Sequence, residues 1–524
     1  MSRPPRATGR DLAGPLRAGV GLAVAAALAW IAPQQANARP NRAEQQIAQQ
    51  MLSHINVLAS DDFAGREPGT DGEGKTLRYI GQQLFQMGMV SGTNDPGHPW
   101  FAPVTLVARE PAASVAQFAR RGRPVAVGDD DVLMLTSGRR SLVQKAPLYF
   151  VGRGGSVPPR AELAGRVAVM LDADTPAARA AAATGDVPRD RQSSTRQNAL
   201  LAGGALAVIT VLDGDRTLAS VAGRRKRSGY ALASQALGGD LEGFITRVGM
   251  ARLLAGGPVS LDQLEAEADR PDFVPRVLDL SASLEATTRE TTIRTHNLIG
   301  KIPGRHPEAG AVLLLAHWDH FGICGAPPAE HLVCNGAVDN ASGVAAMLEI
   351  ARRLARPAVP YDRDIYILAT TAEELGLLGA EAFAEKPPIP LSNIVAALNV
   401  DSVAIAPADT PLGIVGKGMT PLDAAIAAVA RQQKRKLSES TAPNQYIRRQ
   451  DGWALINHDV PAVMVTSAYG NIALLETFFD TDYHRPQDVV KPGIELGGAA
   501  QDVLFHVALI QYFADMRRYV RPGG

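Results

Sequence analysis

The sequence is poor in cysteine. Its 524 residues contain two, Cys324 and Cys334. No further cysteine or suitably spaced histidine accompanies them, so a separate cysteine-based metal site is not supported. In an oxidising compartment the two thiols could close the loop between them as a disulfide, stabilising the fold by roughly 2–3 kcal/mol in the entropic model. We favour this disulfide, with free thiols as the alternative.

The sequence also lacks net charge and long apolar segments. The formal charge is +0 at pH 7, so electrostatics give no reason to expect nucleic acid as a partner. After residue 38 no run is long and apolar enough to span a membrane. Contents of 46% hydrophobic and 20% charged residues are typical of a globular protein. The length predicts two or more domains.

The first 38 residues indicate targeting rather than folding. A basic start, from Arg3 to Arg17, precedes the apolar run 18–32, and Ala36 and Ala38 supply small residues after it. This pattern predicts a secretory signal peptide, residues 1–38, and an exported protein that is periplasmic or secreted. An uncleaved membrane anchor is the alternative. No cysteine stands directly after the run, which argues against a lipoprotein anchor.

From about residue 296 onward the sequence alternates between strand-like and helix-like segments. Runs such as VLLLA and IYILA are apolar throughout, as expected of parallel strands that helices cover on both faces. The predicted strands are 311–316, 364–369, 394–400 and 462–466, and the predicted helices are 342–355, 420–431 and 497–517. The expected fold class is therefore α/β, with a mostly parallel mixed sheet covered by helices on both faces.

The pattern differs in the middle of the chain. Short β-like runs lie at 148–151, 167–172 and 205–212, and a helical tail is predicted around 241–268. None of these segments carries a cluster of metal-ligand residue types. We therefore predict a smaller β-rich domain at 111–285, inserted into a discontinuous catalytic domain made of 39–110 and 286–524.

Metal-ligand residue types follow three of the predicted strands. His317 ends the first strand, Glu373 and Glu374 follow the second, and Asp401 follows the third. In open α/β sheets, ligands bind outside the carboxyl ends of the strands. We therefore expect these side chains to meet at one edge of the sheet. One of the adjacent glutamates can bind metal while the other takes a proton from water.

Further donors lie in loops. Asp339, in GAVDNASG, could place one carboxylate oxygen on each of two metal ions, and a helix-capping role for Asn340 or Ser342 is compatible with this. Asp319 could hydrogen-bond to the preceding histidine and fix its tautomer. His484, far along the chain, would supply the last nitrogen. Nitrogen and oxygen donors in this number suit two zinc ions that share one carboxylate.

The sequence resembles a known family at these motifs. AHWDHFG, GAVDNASGVA, TAEELGLLGA, LNVDSV and DYHRPQDVV look like the motifs of the co-catalytic di-zinc aminopeptidases, metallopeptidase family twenty-eight. The resemblance extends to LASDDFAGREPGT, and the inserted segment looks like a protease-associated domain. The similarity spans most of residues 44–515.

The resemblance implies roles for individual residues. His317 and Asp401 would bind one zinc ion, Glu374 and His484 the other, and Asp339 would bridge them. The remaining two roles are those of a general base, Glu373, and of a group that orients the first histidine, Asp319. The family also implies a cis peptide bond between Asp339 and Asn340.

One motif departs from the family. Relatives commonly carry an Arg-Ser-Asp-like motif, where this chain has IRRQDGWALINHD. Tyr446 and Asp451 are candidate substrate contacts, while His320 and His331 are expected to be loop residues or outer neighbours of the ligands.

The expected activity is that of a metallo-aminopeptidase acting on peptides or proteins with a free N-terminus. The alternatives are a zinc carboxypeptidase, for which Arg448 and Arg449 could bind the substrate carboxylate, a glutaminyl-peptide cyclotransferase, and an inactive peptide-binding protein.

Overall fold

The structure of the protein is a computed structural model, which describes residues 41–154, 156–172, 189–213, 216–227, 229–235 and 240–521. The predicted signal peptide, residues 1–38, lies outside these described residues. No helix in the described ranges is both long and apolar enough to cross a membrane.

The strands of the described residues join in one mixed sheet. They are β1 (Val90–Ser91), β2 (Phe101–Arg120), β3 (Arg123–Val125), β4 (Val132–Thr136), β5 (Arg140–Phe150), β6 (Val167–Leu171), β7 (Ala207–Val211), β8 (Tyr230–Leu232), β9 (Leu241–Ile245), β10 (Arg276–Ile302), β11 (Ala311–His317), β12 (Asp364–Thr370), β13 (Ile394–Asn399), β14 (Gly413–Val415) and β15 (Ala462–Thr466). The main path runs β14-β15-β13-β11-β12-β10-β5-β6-β7-β9-β4, with β1 and β2 paired to β10, and β3 and β8 paired to β2.

The helices flank this sheet. Their bounds are Arg42–Leu58, Asp71–Gln86, Arg160–Leu163, Arg189–Ala202, Leu218–Arg227, Arg247–Leu254, Leu261–Ala268, Gly343–Leu354, Leu378–Glu385, Asp423–Gln432, Gly452–Ile456, Ile472–Thr481 and Gly497–Ala514. The first begins with a capping box, in which Asn41 and Glu44 satisfy each other's backbone N–H groups.

The parallel strands β12, β11, β13 and β15 carry apolar side chains on both faces. Along β11, Val312 and Leu314 pack into the core beneath the first, second and last helices. Leu313 and Leu315 point the other way, into a core with Phe383 of helix Leu378–Glu385. Because both faces are buried, the strand is apolar throughout. The fold class predicted from the sequence, a mostly parallel sheet flanked by helices, is confirmed.

A second core lies under the strands of the middle segment. Strands β5, β6, β7 and β9 are parallel, and their side chains pack with the helices Arg247–Leu254 and Leu261–Ala268. The prediction of a helical tail over 241–268 was wrong for its first part, because Leu241–Ile245 forms β9. This run pairs with β7 and β4, and the tertiary pairing decided between strand and helix for a short apolar segment.

Two long strands join the two cores. β2 and β10 pair antiparallel from Phe101–Leu298 to Arg120–Leu280, with an irregularity between Ala286 and Thr288. Both strands run across the predicted boundaries near residues 110 and 286. The division into a catalytic and an inserted domain therefore stays a prediction.

Candidate metal centre

Three strand ends bring the predicted ligands together. His317 is the last residue of β11, and it lies opposite Thr370, the last residue of β12. β13 runs beside β11 and ends at Asn399, two residues before Asp401. Since these strands are parallel, the residues that follow them emerge at one edge, as the sequence analysis expected. His317 and Asp401 are both buried.

Asp339 lies between two imidazoles. Its Oδ1 is 3.3 Å from Nε2 of His317, and its Oδ2 is 3.3 Å from Nε2 of His484. The two carboxylate oxygens thus face histidines that are far apart in the sequence. A carboxylate in this position can contribute one oxygen to each of two neighbouring cations.

The other donors complete two groups around Asp339. Nε2 of His317 lies 3.5 Å from Oδ1 of Asp401 and 4.0 Å from Oε2 of Glu373. On the other side, Nε2 of His484 lies 2.9 Å from Oε2 of Glu374. The structure therefore brings together all five residues predicted as metal ligands.

His320 adds an imidazole that the sequence analysis did not count as a donor. Its Nδ1 lies 2.6 Å from Oε1 of Glu374, on the carboxylate oxygen that does not face His484. Its side chain is buried, and its ring lies 5.1 Å from that of Phe321. Donor atoms of His320, Asp339 and Glu374 lie within 4.8 Å of one another, as do those of His317, Glu373 and Asp401.

Asn340 fixes the loop that carries Asp339. Its amide nitrogen donates to the carbonyls of His317 and Val400, and its Oδ1 accepts from the N–H groups of Gly343 and Ser402. One side chain thus joins the ends of β11 and β13 to the start of a helix. The peptide bond before Asn340 is cis, as the family resemblance implied.

Asp488 holds the same loop from the other side. Its two carboxylate oxygens accept hydrogen bonds of 2.9 Å from the backbone N–H groups of Val338 and Asp339. Burial raises the pKa of Asp488 to about 6, although these two hydrogen bonds oppose the shift. Asp488 follows His484 in the motif DYHRPQDVV, so one loop supplies both a donor and a support for Asp339.

Asp319 makes closer contacts with the loop that carries Glu373 and Glu374, here called the glutamate loop, than its carboxylate makes with His317. Its carboxylate accepts from the backbone N–H groups of Glu373 and Glu374, at 3.1 and 3.4 Å. Its Oδ1 is 3.7 Å from Nδ1 of His317, whereas its backbone oxygen is 3.3 Å from that nitrogen. The orientation of His317 by this carboxylate stays a prediction.

Three residues with a left-handed backbone lie at the same edge. Ala372, immediately before Glu373, has a φ of 52°, Ser402, after Asp401, has 51°, and His484 itself has 57°. Residues other than glycine rarely adopt this left-handed conformation, and such outliers cluster at functional sites. The surrounding packing must hold these residues in place.

The site has little positive charge of its own. The carboxylates of Asp319, Asp339, Glu373, Glu374 and Asp401 lie together, and their ion-pair partners among the described residues are histidines. Arg66 is buried nearby, but it donates to the backbone carbonyls of Trp318, Leu58, Asn335 and Gly336. Buried carboxylates without cations are costly.

The pKa shifts record this excess of acidic groups. Burial, together with the neighbouring Glu374 and Asp401, raises the pKa of Glu373 well above its ordinary value, although His317 opposes the shift. Burial alone would lower the pKa of His484, but the carboxylates of Glu374 and Asp339 raise it to about 9. The negative charge of the neighbouring carboxylates contributes to both shifts, and a divalent cation would compensate it.

Three buried polar atoms at the centre make no hydrogen bond within the described structure. They are Oδ2 of Asp339, Nε2 of His320 and Nε2 of His484. Nearly all buried polar groups in proteins find a partner, and a site that binds an ion is one of the usual reasons for an exception. The donors are imidazole nitrogens and carboxylate oxygens, which zinc prefers. The residues present therefore fit a metal centre.

Cys324 and Cys334 are joined by a disulfide in the structure, with their Cα atoms 5.7 Å apart. This bond closes the loop that follows His320, and the loop packs against the segment that carries His484. The Phe321 ring lies 4.5 Å from the His484 ring, and Sγ of Cys324 lies 3.9 Å from the backbone oxygen of His484.

The two candidate substrate contacts lie in different surroundings. Asp451 is buried, accepts a hydrogen bond from the Thr370 hydroxyl and leaves its Oδ1 without a partner in the described structure. Burial, with the charges of Asp319 and Asp401, raises the pKa of Asp451 to about 7, and His317 opposes the shift.

Tyr446 belongs instead to an aromatic cluster beside the site, which it forms with Tyr469, Phe479 and Tyr483. Arg449 lies over the rings of three of them, and Tyr483 stacks on His484 at 3.6 Å. The ring contacts and the cation–π contact of Tyr446 are made with this cluster and not with the metal-ligand side chains.

The supporting residues that sequence reasoning missed are Arg66, Asn340 as a link between strand ends, and Asp488. Each lies inside a motif that resembles the family, and that motif was the signal by which it could have been found. Their roles depend on hydrogen bonds between segments that are distant in sequence, which a single sequence does not reveal.

Comparison with known sequences finds a similar peptidase family. Residues 297–502 match the sequence model of peptidase family M28. The aminopeptidase YwaD of Bacillus subtilis (strain 168) is 31% identical over 139 residues, which are 26% of this chain and 27% of that protein. The alignment thus spans about a quarter of that relative's length.

The comparison with solved structures finds aminopeptidases, of which the first shares the fold. The aminopeptidase from Aneurinibacillus sp. strain AM-1 aligns with a TM-score of 0.51 and 19% identity, covering 90% of this chain and 96% of that one. The zinc aminopeptidase from Bacillus subtilis aligns with a TM-score of 0.41 and 17% identity, covering 90% of this chain and 97% of that one. With the motifs and the geometry of the strand ends, the match of residues 297–502 shows that this part of the chain is similar to peptidase family M28.

Proposed function

We propose that this protein is an exported aminopeptidase that holds two zinc ions and removes N-terminal residues from peptides. The position of Asp339 carries the proposal. Its two oxygens lie 3.3 Å from two different histidines, and each histidine has a second carboxylate within 3.5 Å. Two donor groups that share one carboxylate suit a two-metal centre.

The ligands divide between the two ions. His317 and Asp401 would hold the first, Glu374 and His484 the second, and Asp339 would serve both. His320 would hold Glu374 by its other oxygen, 2.6 Å away. An outer partner of this kind fixes the orientation of a ligand and commonly changes metal affinity 10–100-fold when it is removed.

Glu373 would act as the general base. It lies beside His317 but is not needed as a ligand in either group, and its raised pKa suits a group that exchanges protons near neutral pH. When bound, the zinc ions would polarise the scissile carbonyl and lower the pKa of water. Glu373 would take a proton from the attacking water and pass it to the leaving amine.

The acidic surroundings favour a substrate with a free amino terminus. Asp451 and Glu373 lie among carboxylates that are not paired with lysine or arginine in the described structure. A protonated peptide N-terminus supplies positive charge where the site lacks it, whereas a C-terminal carboxylate would meet repulsion. A carboxypeptidase would need a basic group that binds the substrate carboxylate. Arg449, one candidate for this role, lies over the aromatic cluster beside the site.

The remaining parts of the proposal concern export and organisation. The signal-like residues 1–38 and the Cys324–Cys334 disulfide are both consistent with an exported protein. The middle segment, residues 111–285, has its own core and would form the inserted, protease-associated-like domain.

Hydrolysis of aminoacyl anilides tests the proposal. We expect the zinc-loaded protein to cleave substrates with a free amine and to leave their N-acetylated counterparts intact. Glu373→Gln should keep the zinc and lose about 10²–10⁴-fold in kcat. Glu439→Gln is a matched control, since the Glu439 side chain is 99% exposed.

Other outcomes would favour the alternatives. Equal cleavage of free and acetylated substrates would contradict the aminopeptidase assignment. Two bound zinc ions without cleavage of any anilide would favour a carboxypeptidase or a glutaminyl cyclase. A protein that binds no zinc would be better described as a peptide-binding protein.

A further inference from the structure

The loop that carries Glu373 and Glu374 is held in a strained conformation. Ala372, before it, has a φ of 52°, and Leu377, after it, has a φ of 63°. The loop turns back on itself, because the N–H groups of Leu377 and Leu378 donate to the carbonyls of Glu373 and Ala372. Two left-handed residues that are not glycine persist only where neighbouring structure holds them.

On the side of the metal centre, Asp319 accepts the backbone N–H groups of both glutamates. On the opposite side the support is apolar. Ala372 and Leu378 pack with Val104 and Leu106 of β2 and with Leu232 of β8, and all five are buried. Tyr230 of β8 and Leu375 of the loop pack against the same cluster.

β8 belongs to the middle segment of the chain, yet it is built into the catalytic part. Its residues pair with β2 through Leu106–Leu232 and Ala108–Tyr230. The pairing continues at both ends through backbone hydrogen bonds. The N–H of Arg109 donates to the carbonyl of Gly229, and the N–H of Ala233 donates to the carbonyl of Thr105. Just beyond, the Ser234 hydroxyl donates to Glu385, at the end of the helix that follows the glutamate loop.

We propose that β8 is a positioning element of the active centre, and that Leu232 holds the loop from which Glu373 and Glu374 reach the metals. The proposal rests on the function proposed above and adds to it. It makes the segment 111–285 a structural part of the catalytic machinery and not a detachable cover. A small displacement of the base and of one ligand is enough to lower the rate, since misplacement by about 1 Å can cost on the order of 100-fold.

Truncation of Leu232 tests this proposal. We expect Leu232→Ala to lower kcat by about 10–100-fold with little change in KM. In the same protein, amide hydrogen exchange at residues 376–378 should become faster, because these amides close the loop. Leu232→Met, which restores most of the volume, should recover kcat.

A matched control separates positioning from general destabilisation. Leu253 is also buried, but it lies in the core of the middle segment. It does not belong to the apolar cluster that Leu232 forms with Ala372 and Leu378. We expect Leu253→Ala to lower the melting temperature comparably while kcat and exchange at 376–378 stay within about twofold of the wild type.

Equal kcat and equal exchange in Leu232→Ala and Leu253→Ala would overturn the positioning role. A wild-type protein that cleaves no anilide would refute the proposed function instead. In that case the exchange rates at residues 376–378 would still decide whether β8 holds the loop.

Discussion

Two sets of parallel strands in this protein end in very different surroundings. At the ends of β11, β12 and β13, buried carboxylates face one another and imidazoles. At the end of β6, in the middle segment, the buried carboxylate of Asp172 accepts a 2.7 Å hydrogen bond from Arg216, and Ser193 also donates to it. The strands are alike, being apolar and covered on both faces, but only the second set has its charge neutralised by the chain itself.

The difference shows what makes one strand edge a site. A carboxylate paired with arginine is a satisfied structural group, while grouped carboxylates without a basic partner need cations from outside. Asp131 repeats the satisfied pattern in the middle segment, where Thr246 and Arg252 donate to its two oxygens. In the described structure, the unneutralised carboxylates are concentrated at the edge that ends in His317.

The largest expected difference between the two strand edges is in hydrolytic activity after one carboxylate of each edge is removed. We expect Asp339→Asn to abolish measurable hydrolysis and to reduce bound zinc, because the amide keeps a single oxygen and has neither a second oxygen nor a negative charge to offer the other donor group. Asp172→Asn should change kcat less than about twofold. Zinc content by elemental analysis, with anilide hydrolysis, measures both effects. Full zinc content in Asp339→Asn would contradict the bridging role.

Zinc should stabilise the folded protein by binding at the strand edge that carries Asp339, and not at the edge that carries Asp172. A ligand that binds only the folded state at 1,000 times its Kd stabilises by about 4 kcal/mol. We therefore expect chelation to lower the melting temperature of the wild type and of Asp172→Asn. The melting temperature of Asp339→Asn should respond little to added zinc. A similar response in all three proteins would locate the stabilising metal elsewhere.

In the metal-free protein, the same kind of substitution should have opposite effects on stability. Asp172→Asn weakens a buried pair and should cost about 2 kcal/mol. Glu373→Gln should stabilise the protein at neutral pH, since burial and the nearby Glu374 raise the pKa of Glu373 well above 4.5. A carboxyl with a raised folded pKa makes the metal-free fold less stable as pH rises above 4.5. Urea unfolding at pH 5 and pH 8 would show this slope in the wild type and its reduction in Glu373→Gln.

The smallest expected effect is the loss of stability when Glu349 is substituted. This buried carboxylate belongs to the catalytic part and lies away from the strand ends. Burial would raise the pKa of Glu349, but hydrogen bonds from His54, Arg352 and Arg353 lower it to about 2. Its stabilisation is therefore present above its ordinary pKa of 4.5 and is lost as pH falls towards 2. We expect Glu349→Gln to cost about 1 kcal/mol at pH 7. Chelation should affect this variant as it affects the wild type, and a loss of zinc response would contradict the separation from the metal edge.

Much of the catalytic part could be predicted from local pattern. The predicted strand 462–466 agrees with β15, and the predicted strand 311–316 differs from β11 only by its last residue, His317. Long apolar runs and a change of periodicity are local properties, so they survive in the fold. The middle segment was less predictable, because Leu241–Ile245 is too short for periodicity to distinguish a strand from a helix.

By itself, the sequence determined the α/β class, the edge at which the chemistry lies and the residue types available there, because strand order and ligand type follow from pattern and motif. Only the tertiary structure decided how Asp339 faces two histidines, how His320 holds Glu374 and how β8 supports the glutamate loop. These contacts join segments separated by tens to hundreds of residues. Their geometry depends on packing and hydrogen bonds that no local pattern encodes.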